Sequence, residues 1–492
     1  LSEYERASGG KFKYTLIEPA TDDERKQAVE AGLQEQPFGE ADATGDDRAS
    51  ITQGFLGLVF KYGSEKAVIP ALHPAYNEGL EFFISNKIRE IRDKNDDIKH
   101  KIGLITGKGE LKLSDRNLVP RQGQQGSPSL QEIITQNFPF YALENVDLQG
   151  GATEINQEFE GLIITQPSED FSEKELRRID QFMMSGGKTL AVIASAVNLK
   201  PNDASMMAEL NTHGLDPLLS GYGIQMNQDA VLDHGAQFRV PVMTQMGGVG
   251  WLRHPGIAHV VNDPRFAEEE QLLDTSFPGF FRMDELMMPF PSSLSLLGDK
   301  QPEDVSVRAL IRTTPGTNLM TDATVDMSLQ DQWRPQPPFE QAIIAAAAEG
   351  KLRSAFAGSP DAEIPAGDRA PEAGGVLVIA SGEFITNPFA YSGNGPEPTG
   401  QMAQFGAMGG DRELQMVAQT YAQQYLRPTI LALKNIFDWM SGDADLIAAS
   451  AKILGEPNLT YASVAKPEFS MDDSEEAIAK KDEEYRTARR SL

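Results

Sequence analysis

Apolar residues recur along the chain with two periods. In NEGLEFFISNKIREIRDK, Leu80, Phe83, Ile84, Ile88 and Ile91 share one face at helical spacing, which predicts an amphipathic helix. KIGLITGKGE, EFEGLIITQP, KTLAVIA and GGVLVIASGEFITN instead carry unbroken Val, Ile and Leu runs. Such runs are the pattern of strands covered on both faces. Helical patterns, LQEIITQNF and SEKELRRIDQFMM, alternate with them. This βαβ rhythm predicts an α/β fold with a doubly wound, mostly parallel sheet.

Three regions follow from the pattern. In residues 1–99, LSEYERASGGKFKYTLIEP reads as the tail of a helix followed by a strand, and TDDERKQAVEAGL as a short helix capped by Thr21. QPFGEADATGDDRAS reads as a polar loop, GFLGLVFKYG with EKAVIP as a hairpin, and the amphipathic helix closes the unit. Strand, helix, hairpin and helix in that order resemble the later part of a thioredoxin-like fold, here without a C-x-x-C pair.

Residues 100–455 hold the sheet, with YALENVDL, QDAVLD and VSVRALIRT as further strands. LNTHGLDPLLSGYGIQM reads as a helix, and RPTILALKNIFDWMSGD as an amphipathic helix covering the sheet. RQGQQGSPS is a flexible insert. Long irregular insertions are expected at 236–300, rich in Met, Phe and Pro, and at 356–411, where Gly, Pro and Ala runs flank the GGVLVIA strand. Residues 456–492 form an extended segment and a charged helical stalk, MDDSEEAIAKKDEEYRTARRSL.

Composition narrows the function. The 492 residues carry 44 Lys and Arg against 72 Asp and Glu, a net charge of −28. That balance argues against nucleic acid and against adsorption on an anionic membrane. There is no cysteine, which excludes disulfides, thiolate zinc sites and cysteine nucleophiles. No apolar run approaches the ~18 residues of a membrane-spanning helix.

Candidate chemistry is sparse. SGGKTLAVIA, residues 185–194, contains the Gly-Lys-Thr that ends a P-loop, but the position of that motif's first glycine is Phe182. The element order is also reversed, helix before strand, so Gly186 and Gly187 read as a helix end. In HPGIAH, His254 and His259 lack the i,i+4 spacing and glutamate of a metalloprotease helix and read as a loop. No G-x-S-x-G elbow occurs. Gly107, Lys108, Gly109 and Glu110 follow a strand at its carboxyl end, where open α/β sheets bind ligands; a tight turn is the alternative. The loop after the late strand carries Ser381, Glu383 and Asn387, and a Ser-Glu pair without histidine makes no nucleophile. Glu158 and Glu160 read as solvated. The Met-rich loops read either as adaptable partner surfaces or as ordinary packing. No catalytic residue, metal site or cofactor is expected.

The ordered succession EYERASGGKFKYTLIEP, GFLGLVFKYGSEKAVIP, GLEFFISNKIREI, KIGLITGKGE, IDQFMMSGGKTLAVI, GYGIQMNQDAVLD, HPGIAHVV, GEFITN and LKNIFDWMSGD resembles the auxiliary proteins of ABC-type transport systems, the GldG-like components of gliding-motility transporters. The resemblance runs nearly end to end, and its specificity lies in the order of many short motifs. It implies a non-catalytic, partner-binding domain on the periplasmic side of the bacterial inner membrane. Membrane helices preceding Leu1 and following Leu492 would tether it, and its partners would be the permease and ATPase subunits or other envelope proteins. It also implies a central domain like class I glutamine amidotransferases without their catalytic residues. The chain departs from the family at Lys108, where T-G-H-G-E is usual, and at Ser381–Phe384, where D-S-D-F is usual. Two other readings stay open: a solute- or glycan-binding module, and a hydrolase or amidotransferase-like enzyme using the 106–110 and 381–387 loops.

Overall fold

The computed structural model describes residues 1–40, 50–72, 80–121, 128–243, 249–262, 271–281, 283–329, 333–359, 361–395, 410–442 and 480. Two compact units divide the chain, Leu1–Lys99 and His100–Leu492.

In the first unit, α1 (Ser2–Ala7) precedes α2 (Asp22–Glu30). Thr21 starts α2 with a capping box: its hydroxyl accepts from Glu24 N, and the Glu24 carboxylate accepts from Thr21 N at 2.9 Å. β1 (Glu35–Glu40) pairs antiparallel with β2 (Ser50–Phe55), and β3 (Leu58–Tyr62) forms a hairpin with β4 (Glu65–Ile69). Against that hairpin α3 (Leu80–Asn95) buries Ile84 and Ile91 on Phe60 and Ala67, with Ile88 at the margin. Two expectations fail here. KFKYTLIEP forms no strand, and Leu16 and Ile17 stand 83% and 72% exposed. Alternation makes a segment able to pair, but pairing needs a neighbouring edge, and β1 and β3 take β2 and β4 instead. The polar segment 36–50 is not all loop: its ends lie in the β1–β2 ladder, from Glu35↔Phe55 to Glu40↔Ser50.

The second unit opens with β5 (His100–Thr106), α4 (Leu130–Asn137), β6 (Tyr141–Asp147), β7 (Gly161–Thr165), α5 (Glu173–Met183) and β8 (Thr189–Ile193). Capping boxes at Ser129 with Glu132 and at Ser172 with Glu175 set both helix starts. There follow β9 (Val197–Leu199), β10 (Met207–Leu210), α6 (Asp216–Gly221), β11 (Ile224–Met226) and β12 (Ala230–Asp233). Next come β13 (Gln237–Met243), β14 (Val249–Val261), β15 (Glu285–Pro289) and β16 (Leu294–Leu296). The chain continues through β17 (Ser306–Arg312), β18 (Thr317–Met320), β19 (Thr324–Asp326), β20 (Ile343–Gly350) and β21 (Gly374–Ile379). Helices α7 (Pro388–Gly393) and α8 (Arg412–Met440) complete the described part.

The result is a mixed α/β unit with a large, mostly parallel central sheet plus insertions. Its order is β11-β16-β20-β21-β8-β7-β5-β6, with β17 also on β20. β21, β8, β7, β5 and β6 run parallel, and β20, β17, β16 and β11 extend the sheet antiparallel. Side chains alternate between two cores. Ile163, Ala191, Ile193, Leu377 and Ile379 face one core with α4, α7 and α8, while Leu162, Ile164, Leu190, Val192, Val376 and Val378 face the other with α5 and α6.

Several elements differ from the sequence reading. Only Asp216–Gly221 of LNTHGLDPLLSGYGIQM is helical. Gly223, at φ +87°, turns the chain out of the helix into β11. Residues 236–300 are not simply irregular: β13, β14 and β15 form a three-stranded antiparallel sheet. Leu286, Met287 and Met288 of β15 are all buried, so the alternation of a half-exposed strand is missing. HPGIAH lies within β14, where the register jumps from Phe238↔His254 to Gln237↔Ala258, a bulge that admits Pro255 and Gly256. β20 is alanine-rich and pairs at the sheet's centre. Helix α8 begins at Arg412 rather than near Pro428, because Leu414, Val417, Ala418, Tyr421 and Tyr425 already present an apolar stripe to the core. Most of the RQGQQGSPS insert, residues 396–409 of the second insertion, and the 456–492 stalk apart from Lys480 lie outside the described residues.

Candidate functional site

β5 lies between β6 and β7 in the sheet. The chain leaving β5 passes through α4 to β6, and the chain leaving β7 passes through α5 to β8, in the opposite direction along the sheet. Diverging connections open a crevice at the carboxyl ends of the two strands, the place where doubly wound sheets bind ligands. A cavity of about 420 Å³ lies there, with Gly107, Gly109 and Glu110 among its walls.

Both glycines of the loop have left-handed backbones, with φ of +94° at Gly107 and +59° at Gly109. At Gly109 a Cβ would stand 2.1 Å from Ser168 Oγ, so a larger residue displaces the β7 loop. The turn brings Glu110 back under its own backbone, and Lys108 N–H donates to Glu110 Oε2 at 2.9 Å. Glu110 is only 9% exposed, and its other oxygen, Oε1, is buried with no hydrogen-bond partner.

Lys108 does not join Glu110 at the cavity. Its ammonium pairs with Glu175 at 2.8 Å, donates to the Asp170 carbonyl at 3.1 Å and lies 5.4 Å from the centre of the Phe171 ring. Burial works to raise the Glu175 carboxyl, but the Lys108 bond and the Ser172 donors outweigh it and hold the group below its ordinary range. Asp115, whose Oδ2 accepts from Lys112 N at 3.0 Å, is pushed up by burial, with a smaller contribution from the Glu110 charge.

The second loop sits on the same side of the sheet but does not line the cavity. Residues 111–121 link the two: Leu111 N donates to Gln166 O at 2.9 Å, and Asn387 N to Asn117 O at 3.1 Å. Asn387 Nδ2 donates to the Leu118 and Ala418 carbonyls at 2.9 and 2.8 Å, while its Oδ1 caps α7. Ser381 Oγ donates to the Pro289 carbonyl, and Thr386 Oγ1 donates to Glu383 Oε2. Burial pushes Glu383 up to about 7. Tyr391 and Tyr421 are raised by burial and then by the Glu383 charge. The expected residues thus separate: Gly107, Gly109 and Glu110 line a cavity, Lys108 turns to α5, and Ser381, Glu383 and Asn387 are buried in packing.

Sequence reading overlooked the cavity's polar walls outside the 106–110 loop, Lys112, Ser114, Gln131, Asn145 and Thr165. The carboxyl-end rule, applied to YALENVDL and GLIITQP, reaches Asn145 and Thr165 directly. It also overlooked a neighbouring network in which Gln166 Nε2 donates to Asn198 Oδ1 at 2.6 Å. His213 meets the same oxygen through Nε2 at 3.0 Å and Asp170 through Nδ1 at 3.0 Å.

The remaining candidates take structural places. Gly186 and Gly187 turn α5 into β8 with φ of +96° and +65°. Lys188 Nζ donates to the Gln157 and Phe159 carbonyls, each at 2.7 Å. His254 Nε2 meets the Met327 carbonyl at 2.9 Å, and burial lowers its imidazole to about 4. His259 Nε2 meets Glu285 Oε2 at 2.6 Å. Among the described residues no group of three or more His, Asp or Glu is placed to hold a metal ion, and no helix is long and apolar enough to cross a membrane.

The model of the protein family described as ABC-type uncharacterized transport system matches residues 99–409. No curated protein matches the chain.

Proposed function

This chain belongs to the family of auxiliary components of ABC-type transport systems, and from that premise we propose that it is a non-catalytic domain that binds protein subunits of such a transporter outside the cytoplasm. The observation that carries the reading is the family match across the sheet-bearing unit, residues 99–409. The finer assignment is a GldG-like component of the gliding-motility type, tethered at the periplasmic face of the inner membrane, with the permease and ATPase or other envelope proteins as partners. The order of motifs along the chain supports it.

The fates of the two loops support the absence of catalysis. Ser381 and Asn387 direct their polar atoms to backbone carbonyls, and Lys108 is held by Glu175. A cysteine-free composition suits an oxidising compartment. In architecture, the parallel block β21-β8-β7-β5-β6 supports an amidotransferase-like main sheet, and α2, the β3–β4 hairpin and α3 support a thioredoxin-like first unit.

Deleting the gene in its host tests the reading. Transport by the associated ABC system should fall at least several-fold while permease and ATPase levels hold, and the full-length protein should restore it. Undiminished transport contradicts the proposal.

A further inference from the structure

We propose that the cavity at the carboxyl ends of β5 and β7 is a binding site for a small organic cation, a primary amine or guanidinium solute, with Glu110 as its counter-charge. This goes beyond an accessory role and stands or falls separately from it, since it concerns the isolated chain and a solute.

Three observations converge. The first is position: the cavity occupies the crevice where the connections from β5 and β7 diverge, and its volume of about 420 Å³ lies in the range of roughly 300–1,000 Å³ typical of small-ligand sites. The second is an unmet acceptor. Glu110 lines the cavity at 9% exposure, Lys108 N–H fixes one of its oxygens, and the other has no partner. A buried carboxylate oxygen without a donor is costly, and a ligand N–H relieves that cost. The third is the charge at the walls. Glu110 and Lys112 are the ionic residues of the lining, Lys112 is exposed, and Lys108, the nearest cation in sequence, is committed to Glu175. Asp147 stands where a Cβ on Gly107 would meet its Oδ1 at 3.1 Å, and Asp115 adds a further carboxylate nearby.

The lining chemistry sets the ligand class. The Glu110 carboxylate in the wall repels a phosphate or carboxylate group placed against it. Among the described lining residues there is no arginine and no aromatic ring, so neither a nucleobase nor the face of a sugar ring finds a stacking partner. Hydroxyls of Thr106 and Thr165 and the carboxamides of Gln131 and Asn145 supply neutral polar contacts around one carboxylate. An ammonium or guanidinium group meets that set with charge-assisted hydrogen bonds to Glu110.

Isothermal titration calorimetry on the purified chain tests this, with L-arginine, agmatine and putrescine as cationic probes and D-glucose and L-glutamate as neutral and anionic controls. At least one cationic probe should bind saturably at one site per chain, more tightly than either control. Glu110→Gln should weaken it at least tenfold. Asn145→Trp, at an exposed wall position, should block the cavity and abolish binding while the thermal transition stays in place. Should Glu110→Gln fail to fold, Asn145→Trp decides alone. The proposal is overturned if no cationic probe binds, if glucose or glutamate binds more tightly, or if cation binding survives either folded variant unchanged.

Discussion

Lys108 and Glu175 form an ion pair, 2.8 Å from Nζ to Oε2, that ties the loop after β5 to the first turn of α5. Glu175 also closes the Ser172 capping box, so one carboxylate serves a helix start and a loop. Their side chains are only 15% and 4% exposed. Removing one partner therefore leaves a poorly solvated charge.

Lys108→Ala should destabilise the protein by about 1–3 kcal/mol. The folded state holds Glu175 below its ordinary value of 4.5. Its contribution is therefore full above pH 4.5 and is lost as pH falls through the lowered folded value. Urea unfolding between pH 3 and 7 should show a smaller acid loss in Lys108→Ala than in the wild type. Equal slopes count against the pair.

Glu383 has the opposite sign. Burial raises its carboxyl from 4.5 to about 7 in the folded state. Over that interval the folded protein holds a proton that the unfolded chain has released, so stability falls as pH rises from 4.5 to 7 and then levels. Glu383→Gln removes this cost. It should gain stability relative to the wild type with rising pH, on the order of 1–3 kcal/mol by pH 8. Denaturation curves that keep a constant difference from pH 4.5 to 8 would refute it.

The α5–β8 turn gives a third prediction. At Gly187, φ is +65°, and at Gly186 a Cβ would stand 2.7 Å from Pro371 Cγ. Gly187→Val should destabilise by about 1–3 kcal/mol. Lys188→Ala should lose about 1 kcal/mol with its two carbonyl bonds. Neither the wild type nor Lys188→Ala should show heat on titration with ATP. ATP binding that disappears in Lys188→Ala would restore the phosphate-site reading.

How much of this was legible beforehand depended on the signal each element carries. The parallel strands β5, β7, β8 and β21 were legible because burial on both faces leaves long Val, Ile and Leu runs. β20 was not, because Ala345–Ala348 are all buried yet alanine has little strand preference. β14 was hidden by Pro255 and Gly256, which a bulge accommodates. For the site, position was legible and orientation was not. Glycines after a strand located the loop, but Lys108 points to α5, a contact 67 positions away in sequence, between residues 108 and 175. The Ser381–Asn387 loop follows a parallel strand in the same way, but Ser381 and Asn387 donate to carbonyls of segments distant in sequence, contacts that no local pattern carries.

The proposed extracytoplasmic location has its own test. Alkaline phosphatase inserted within RQGQQGSPS in the full-length protein should be active in cells. An inactive phosphatase together with an active cytoplasmic reporter at the same point would place the unit on the other side of the membrane.

The central claim, association with an ABC transporter, is tested most directly by co-isolation. The full-length protein, tagged and expressed with the permease and ATPase of its transport system, should be extracted in detergent with both subunits at a fixed stoichiometry through size exclusion. Recovery of a permease–ATPase complex that never contains this chain, with the tagged protein folded and eluting apart, would contradict the account.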